Sequence, residues 1–470
     1  MVTAAWLRHL GAEGLADLLR RRPDVMAVPV PVSLGELAER LSTPRSAVAV
    51  LRRLNRPTLQ VAEALAALGG RAERPVLDRL LGAATVDARA EVARALDTLR
   101  ANALLVGDAE PQLVPVVAAG WPRPLGLGSP VASGLAYRTA EQLRTVARNL
   151  GIKPAGRKAD ILDQVLAFLC DAEKVRAVVA AAPADARALL ATAAAGGHVE
   201  PDHIYYSSYN RPVTPTAWAT ARGLLLRTAE WGGELVMPAE VALALRGPAY
   251  TAPFDPIAPP VSRSAADPTA TARAAAAAGA AMVRLVGDLL DLAGRAPVPT
   301  LRTGGIGLRE LRRAAKSLGC AEPDVRLAAS IAVYAGLLSL ADGQATPTAG
   351  YDAWRRHEPA GQLSTLLTAW WRAPSIALAG TGAVKPDESE PAAAELRAAL
   401  IAAAADPTAS TVDDPTALAE LAIWQRPYAF GDPATAPERA IACWQEAALL
   451  GVTGARRGHR CRQGTPRWCR

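Results

Sequence analysis

Apolar positions along this chain recur mostly at the three-to-four spacing of helices rather than the alternation of strands. Between residues 59 and 99 three such segments succeed one another (59–68, 75–81, 88–99), with Gly69-Gly70 and Gly82 between them. The order returns at 280–293, 308–318 and 324–335, with Gly304-Gly305 and Gly319 as the breaks. The residues after each triplet are also alike: LRANALLVGDAEPQLVP (99–115) and YAGLLSLADGQATPT (334–348) pass a Gly or Asn, a Leu-Leu pair and a polar turn, and close at proline. ARGLLLRTAEWGGELVMP (221–238) repeats that ending a third time. A helix stop followed by a two-stranded ribbon is the predicted local structure. Three helices and a hairpin are the winged-helix order; a plain array of stacked helical repeats has the same periodicity. The middle copy is interrupted by a Tyr-, Asn-, Ser- and Pro-rich stretch at 200–215.

The predicted fold is therefore mainly α, a multi-domain array of winged-helix-like units with small β-hairpins and one separate helix–turn–helix. The expected domains are an amino-terminal helical segment (1–56), a first winged unit (57–120), a helical hairpin (134–170) and a second unit (173–247). A Pro-rich linker (248–273) and a third unit with further helices (274–373) come next. Residues 392–454 read as the start of a fourth unit, with 439–448 as its last helix and Leu449-Leu450 leading into its ribbon. The stretch 247–268 holds six prolines and is expected to be extended, since each fixes φ and removes a donor. Residues 374–391 mix Pro, Gly and acids and are expected to be mobile, whereas the alanine runs 274–281 and 402–405 predict helix.

Residues 137–169, YRTAEQLRTVARNLGIKPAGRKADILDQVLAFL, carry the candidate chemistry. Leu143, Val146, Ala147 and Leu150 make one apolar face, Gly151 a left-handed stop, and Ile161, Leu162, Val165, Leu166 and Leu169 the partner face. The cations Arg144, Arg148, Lys153, Arg157 and Lys158 fall outside those faces, the last three in the turn and at the start of the second helix. Free N–H groups and the positive end of the helix dipole lie at that start, so the segment predicts a phosphate site. It resembles a SAP motif, a small DNA-binding helix–turn–helix, through Leu143, Arg148, Gly151-Ile152, Gly156-Arg157-Lys158, Ile161-Leu162 and Leu166. Gln164 stands where many members of that family have a base, which predicts an idle far end of the second helix. A plain helical hairpin with a solvated polar face is the alternative.

Charge placement alters the picture more than net charge does. The chain carries +7, but from 455 to 470 there are six arginines (456, 457, 460, 462, 467, 470) and no acid. Setting those six aside from 52 leaves 46 basic residues against 45 acidic, a nearly neutral body. The tail RRGHRCRQGTPRWCR matches nothing before it, and the composition expected of a slipped frame in a GC-rich gene accounts for it. A basic nucleic-acid arm, or a partial metal site from His459, Cys461 and Cys469, is the other reading, though three ligands do not close a structural zinc site. A chain that loses its repeat near 455 is expected to be an amino-terminal fragment. A second basic stretch, LRTGGIGLRELRRAAKSLG (301–319), places Arg302, Arg309, Arg312, Arg313 and Lys316 on several faces, for phosphate contact or for an acidic neighbour. Arg52-Arg53 and Arg56 make a weaker patch.

Catalytic patterns are missing. No Gly-Lys dipeptide exists to end a P-loop, and Gly304-Gly305-Ile306-Gly307 comes after no strand-like run. Pro359 after His357-Glu358 breaks a metalloprotease helix, and no Gly-x-Ser-x-Gly elbow occurs. The expectation is a protein without enzymatic activity and without cofactors or metal. Cysteines 170, 320 and 443 show no pairing pattern, and neither a signal peptide nor a transmembrane run is visible. A cytoplasmic location, with the nucleoid as one place within it, is the corresponding expectation, and no membrane partner is expected.

Residues 1–454 resemble the amino-terminal part of the helicase-associated proteins of high-GC bacteria that are named for an XPB-type helicase amino-terminal-like domain. The resemblance runs through LRHLGAEGLADLLRRRPD (7–24), LQVAEALAALGG (59–70), MPAEVALALRG (237–247), 301–319 and AGLL (335–338). It implies an accessory role beside DNA, with DNA and a helicase or other DNA-processing protein as partners and no ATPase motor. A scaffold that docks such an enzyme without touching DNA is the rival expectation; a regulator reading palindromic half-sites needs a dimer that nothing in the sequence announces.

Overall fold

The computed structural model describes residues 2–107, 110–197, 199, 214–227, 234–380, 382–385, 393–405 and 410–453. Among them are 23 α-helices and nine short strands, so the protein is mainly helical. The chain divides into two compact units after Pro256.

The first unit contains two cores. One gathers α1 (Ala4–His9), α2 (Gly11–Arg21), α3 (Leu34–Leu41), α4 (Pro44–Leu51), α5 (Arg56–Ala67), α6 (Arg74–Leu80), α7 (Val86–Ala101), β1 (Leu105–Val106), β2 (Gln112–Leu113) and α8 (Pro115–Ala118). The segment 1–56 is thus no body of its own: Leu7, Leu37 and Val50 share a cluster with Leu65 and Leu99. Its helices, 6 to 11 residues long, cannot each bury an apolar face alone. Arg22, fully buried, fastens them, donating to Asn102 O at the end of α7 at 2.7 Å, to the Asp24 carboxylate at 3.1 and 3.2 Å, and to Ser46 Oγ.

The second core joins α9 (Val131–Leu135), α10 (Ala140–Asn149), α11 (Lys158–Leu169), α12 (Ala172–Ala180), α13 (Ala184–Ala194), α14 (Pro215–Thr220), β3 (Leu226–Arg227), β4 (Leu235–Val236) and α15 (Ala239–Arg246). The hairpin read from sequence as a separate element is α10 and α11, and it shares this core. Leu143, Ala147, Ile161, Val165 and Leu169 cluster with Leu190, Ala219, Leu224 and Met237, and Asn149 Nδ2 donates to Ala221 O at 3.0 Å. Most of the interrupting stretch 200–215 lies outside the described residues.

The second unit has β5 (Arg263–Ala265), α16 (Pro268–Arg295), β6 (Val298–Pro299), α17 (Leu308–Leu318), α18 (Glu322–Tyr334), β7 (Leu338–Ser339), β8 (Gln344–Pro347), α19 (Ala349–Arg355), α20 (Pro359–Arg372), α21 (Ala393–Ala404), β9 (Ser410–Val412), α22 (Pro415–Gln425) and α23 (Ala436–Leu449) around one core from Met282 to Leu450. The first alanine run lies inside the 28-residue α16, and most of the second ends α21. β5 pairs antiparallel with β9 across almost 150 residues, so the Pro-rich span is a strand at its far end. The described part of 374–391 is tied to the core rather than loose. Ile376 is buried, and Ile306 and Val384 exchange backbone hydrogen bonds at 2.9 Å in both directions.

The two clear triplets share one connectivity. In the second unit the sheet order is β6-β8-β7, with the last strand in the middle and all pairs antiparallel. In the first, β2 pairs with β1 on one side and bridges to Arg71 on the other, where Gly70 O accepts from Leu113 N at 2.8 Å. Each third helix ends in the same way, with a left-handed residue and a 6→1 backbone bond: Leu104 N to Leu99 O, Leu224 N to Ala219 O, Leu337 N to Ala332 O and Val452 N to Ala447 O. The left-handed residues are Ala103, Gly223, Gly336 and Gly451. Ala103 occupies the left-handed position of the first stop, while the Asn102 side chain before it bonds back to Thr98 O. At the fourth stop Leu449-Leu450 precede the left-handed glycine instead of coming after it, so they close the helix rather than open a ribbon.

In the second unit α18 departs, as α5 does in the first, from the pattern of half-exposed surface elements. Residues 325–332 of α18 are buried without interruption, enclosed by α16, α17 and α20. Arg326 is among them, pairing with Glu322 at 2.8 Å and donating to Gly382 O at 2.5 Å.

Candidate nucleic-acid interface

The hairpin is built by caps and turns as much as by its apolar faces. Thr139 Oγ1 accepts from Gln142 N at 3.2 Å while Gln142 Oε1 accepts from Thr139 N at 2.9 Å, a reciprocal start for α10. Gly151 (φ +79°) ends it, with Ile152 N donating to Ala147 O at 2.8 Å. The turn then closes on α11 twice. Asp160 accepts from Arg157 N at 2.7 Å, and the Gln164 amide exchanges bonds with Ala155, donating to its carbonyl at 3.0 Å and accepting from its N–H at 3.3 Å. Gln164, whose departure from the SAP pattern predicted an idle helix end, is folded back to brace the loop. Sequence reasoning also passed over Asp160, though an acid three residues past a helix start is a capping signal.

Gly156 is the strained point of this turn, with φ +89° and a would-be Cβ only 2.5 Å from Asp160 Oδ2. Gly156→Ala combines a left-handed penalty with displacement of the Asp160 cap. It is expected to cost about 1–3 kcal/mol. Urea unfolding of the first unit checks this, and an unchanged midpoint excludes the strain.

The five cations named from sequence fall into two groups. Arg144 and Arg148 both lean on Glu141, at 3.5 and 3.3 Å, and Lys158 Nζ donates to Ala136 O at 3.1 Å. Three charged ends therefore sit toward the start of α10. Arg157 is exposed at the tip of α11, beside N–H groups of its first turn that have no intrahelical acceptor. Lys153, also exposed, comes after Gly151 near the other end of α10, about 15 Å along a ten-residue helix. Exposed ion pairs such as those to Glu141 are each worth only about 0–1 kcal/mol, so a phosphate can replace the carboxylate.

In the second unit α17 presents a different pattern from the one expected. Arg309, Arg312, Arg313 and Lys316 stand at i, i+3, i+4 and i+7, one exposed stripe opposite the buried Leu311, Ala314 and Ala315. The cations do not cover several faces. Glu310 pairs with Arg313 at 3.1 Å, and Arg302 is exposed in the preceding loop. The weaker patch is partly engaged within the protein: Arg53 donates to Arg21 O at 2.7 Å and Arg56 pairs with Asp255 at 3.6 Å.

Two inward-facing carboxylates, half-buried Glu63 and buried Glu240, escape the sequence reading because in an amphipathic helix they look like surface residues. Glu63 on α5 accepts from Leu125 N at 2.8 Å, and Glu240 on α15 accepts from Val131 N at 2.9 Å. They tie the connector that leads into α9 and the hairpin at Leu125, midway along it, and at Val131, where it ends. Burial pushes the Glu63 carboxyl up, and it pushes Glu240 up to about 7 against the pull of the Val131 amide.

Among the described residues no group of three or more His, Cys, Asp or Glu could hold a metal ion. His459, Cys461 and Cys469 lie outside the described residues. No described helix is long and apolar enough to cross a membrane. Comparison with protein-family models, with curated proteins and with solved structures gives no match.

Proposed function

We propose that this protein is a non-catalytic, DNA-associated accessory protein that grips the phosphate backbone through the α10–α11 hairpin. The observation that carries the reading is the gathering of Arg144, Arg148 and Lys158 toward the start of α10, with Glu141 paired to the two arginines and Arg157 at the adjoining helix tip that Asp160 caps. In this reading α5–β2 and α16–β8 are winged-helix units, supported by their shared connectivity, and the α17 stripe adds a second phosphate surface. Neutralising about four phosphates gives a slope of log K against log salt of roughly −3.5. Such contacts hold DNA without regard to sequence.

The test uses the full chain with the six arginines of 455–470 changed to serine, so that the tail cannot supply the binding. Arg157→Ala with Lys158→Ala is expected to flatten the salt slope by about two. An unchanged slope moves the site elsewhere. A helicase partner comes from the family resemblance alone. The scaffold reading gains support from two features: the enclosed α18 offers no helix to a groove, and Val28, Val30 and Val32 are exposed at 92%, 48% and 93% on the loop before α3. Absence of duplex binding by the tail-neutralised chain would favour it.

A further inference from the structure

Beyond the hairpin and the α17 stripe, the amino-terminal segment holds another helix pair with an open face. α3 and α4 are eight residues each and are separated by Ser42 and Thr43 alone. Both starts are capped, Ser33 Oγ accepting from Glu36 N at 3.2 Å and Thr43 Oγ1 from Ser46 N at 3.3 Å. The turn is fixed as well: Ser42 Oγ donates to Ala38 O at 2.8 Å and Thr43 Oγ1 to Arg40 O at 2.9 Å. The inner face of α4 is Ser46, Ala47, Val50 and Leu51, and the Ser46 hydroxyl meets the buried Arg22 and Asp24. That network leaves α4 no freedom to roll.

Its outer face carries Arg45 in the first turn, then Val48 and Ala49, then Arg52. Arg45 is exposed, and Val48 is 47% exposed. No acid occurs in sequence between Glu39 and Glu63; of the cations in that run Arg40 pairs with Glu36, Arg53 with Arg21 O and Arg56 with Asp255, which leaves Arg45 as the exposed charge at the start of α4. We propose that α3–α4 is a helix–turn–helix whose second helix enters the major groove of duplex DNA and reads base edges there. A helix about 10–12 Å across fits a groove about 12 Å wide. The recognition helix of such a motif contacts bases through its first turns, which is where Arg45 and Val48 stand. Arg45 matches the paired acceptors of guanine, and Val48 with Ala49 matches a thymine methyl. A protein partner on α4 fits less well: the exposed Val28, Val30 and Val32 lie on the loop before α3, and α4 itself offers one valine between cations, far short of the roughly 800 Å² per side of a stable interface.

This inference rests on the DNA-binding reading above and adds sequence preference to it. The experiment selects from a randomised duplex library with the full chain, its six tail arginines changed to serine as above, then titrates the enriched and a scrambled duplex by fluorescence anisotropy. The wild-type chain is expected to enrich a motif of about 3–4 base pairs. Arg45→Ala, and separately Val48→Ser, are expected to lose roughly tenfold on the enriched duplex while keeping their binding to the scrambled one. Arg157→Ala with Lys158→Ala should weaken both duplexes alike. Binding without enrichment, or enrichment that persists in both α4 variants, overturns the groove-reading helix and leaves the hairpin reading intact. A chain that binds no duplex removes both.

Discussion

Glu446→Ala is expected to destabilise the second unit by about 3–5 kcal/mol, the cost of leaving a buried charge without its partner. Glu446 and Arg397 are both fully buried, with side chains 3.7 Å apart. The carboxylate also accepts from Trp370 Nε1 at 2.7 Å and Leu378 N at 3.0 Å, and Arg397 donates to Ala373 O at 2.6 Å and to Ser375 O. Burial pushes the Glu446 carboxyl up, and Arg397, the Leu378 amide and the Trp370 indole pull it back. Alanine would strand a guanidinium and an indole N–H at once. Glu446→Gln keeps an acceptor and should lose less. Arg397→Met combined with Glu446→Leu should lose less than either single truncation, because a dry pair of similar volume removes both desolvation costs. Urea unfolding followed by fluorescence checks all three; additive single effects in the double variant would disprove the coupling.

Stability of the first unit is expected to fall as pH rises from about 4.5 to about 7, because of Glu240. The ordinary value of this carboxyl is 4.5 and burial lifts it to about 7. Below 4.5 both folded and unfolded chains hold the proton, and the group's full contribution is present. Between the two values the unfolded chain has released its proton and the folded chain has not, so folding weakens as pH climbs. Above about 7 the loss is complete, at about 3 kcal/mol for a shift of this size. Glu63, raised by the same cause, acts in the same direction. Asp24 is held low and acts oppositely, which makes the comparison of wild type with Glu240→Gln the informative one. The variant should unfold at higher urea than wild type at pH 8 and lose most of that advantage at pH 4. Parallel profiles would show that the carboxyl is not the source.

The helices were legible wherever one face is apolar and the other is not. Leu143, Ala147 and Leu150 announced α10, and Gly151 its end; Leu311, Ala315 and Leu318 did the same for α17. Hydropathy failed where polarity and burial part company. Arg22, Arg397, Glu240 and Glu446 read as surface residues, and only neighbours distant in sequence make them interior ones. The α18 helix was found but not its enclosure, since a run such as Leu327-Ala328-Ala329-Ser330 has no period that says how many sides are covered. The pairing of β5 with β9 joins three-residue strands whose partners lie far apart, beyond the reach of any local signal. At the candidate site the cations were legible, but their grouping was not. Spacing alone could not say that Lys158 reaches Ala136, or that Lys153 stays at the other end of its helix.

The walling-in of α18 has a consequence for how discrimination would be distributed along the chain. On the proposed reading, a winged unit whose third helix is buried along residues 325–332 presents no reading head, and would hold a polyanion only by charge. Selectivity, on the proposed reading, would then be settled entirely upstream of residue 257, with the later repeats acting as ballast that lengthens residence without choosing the address.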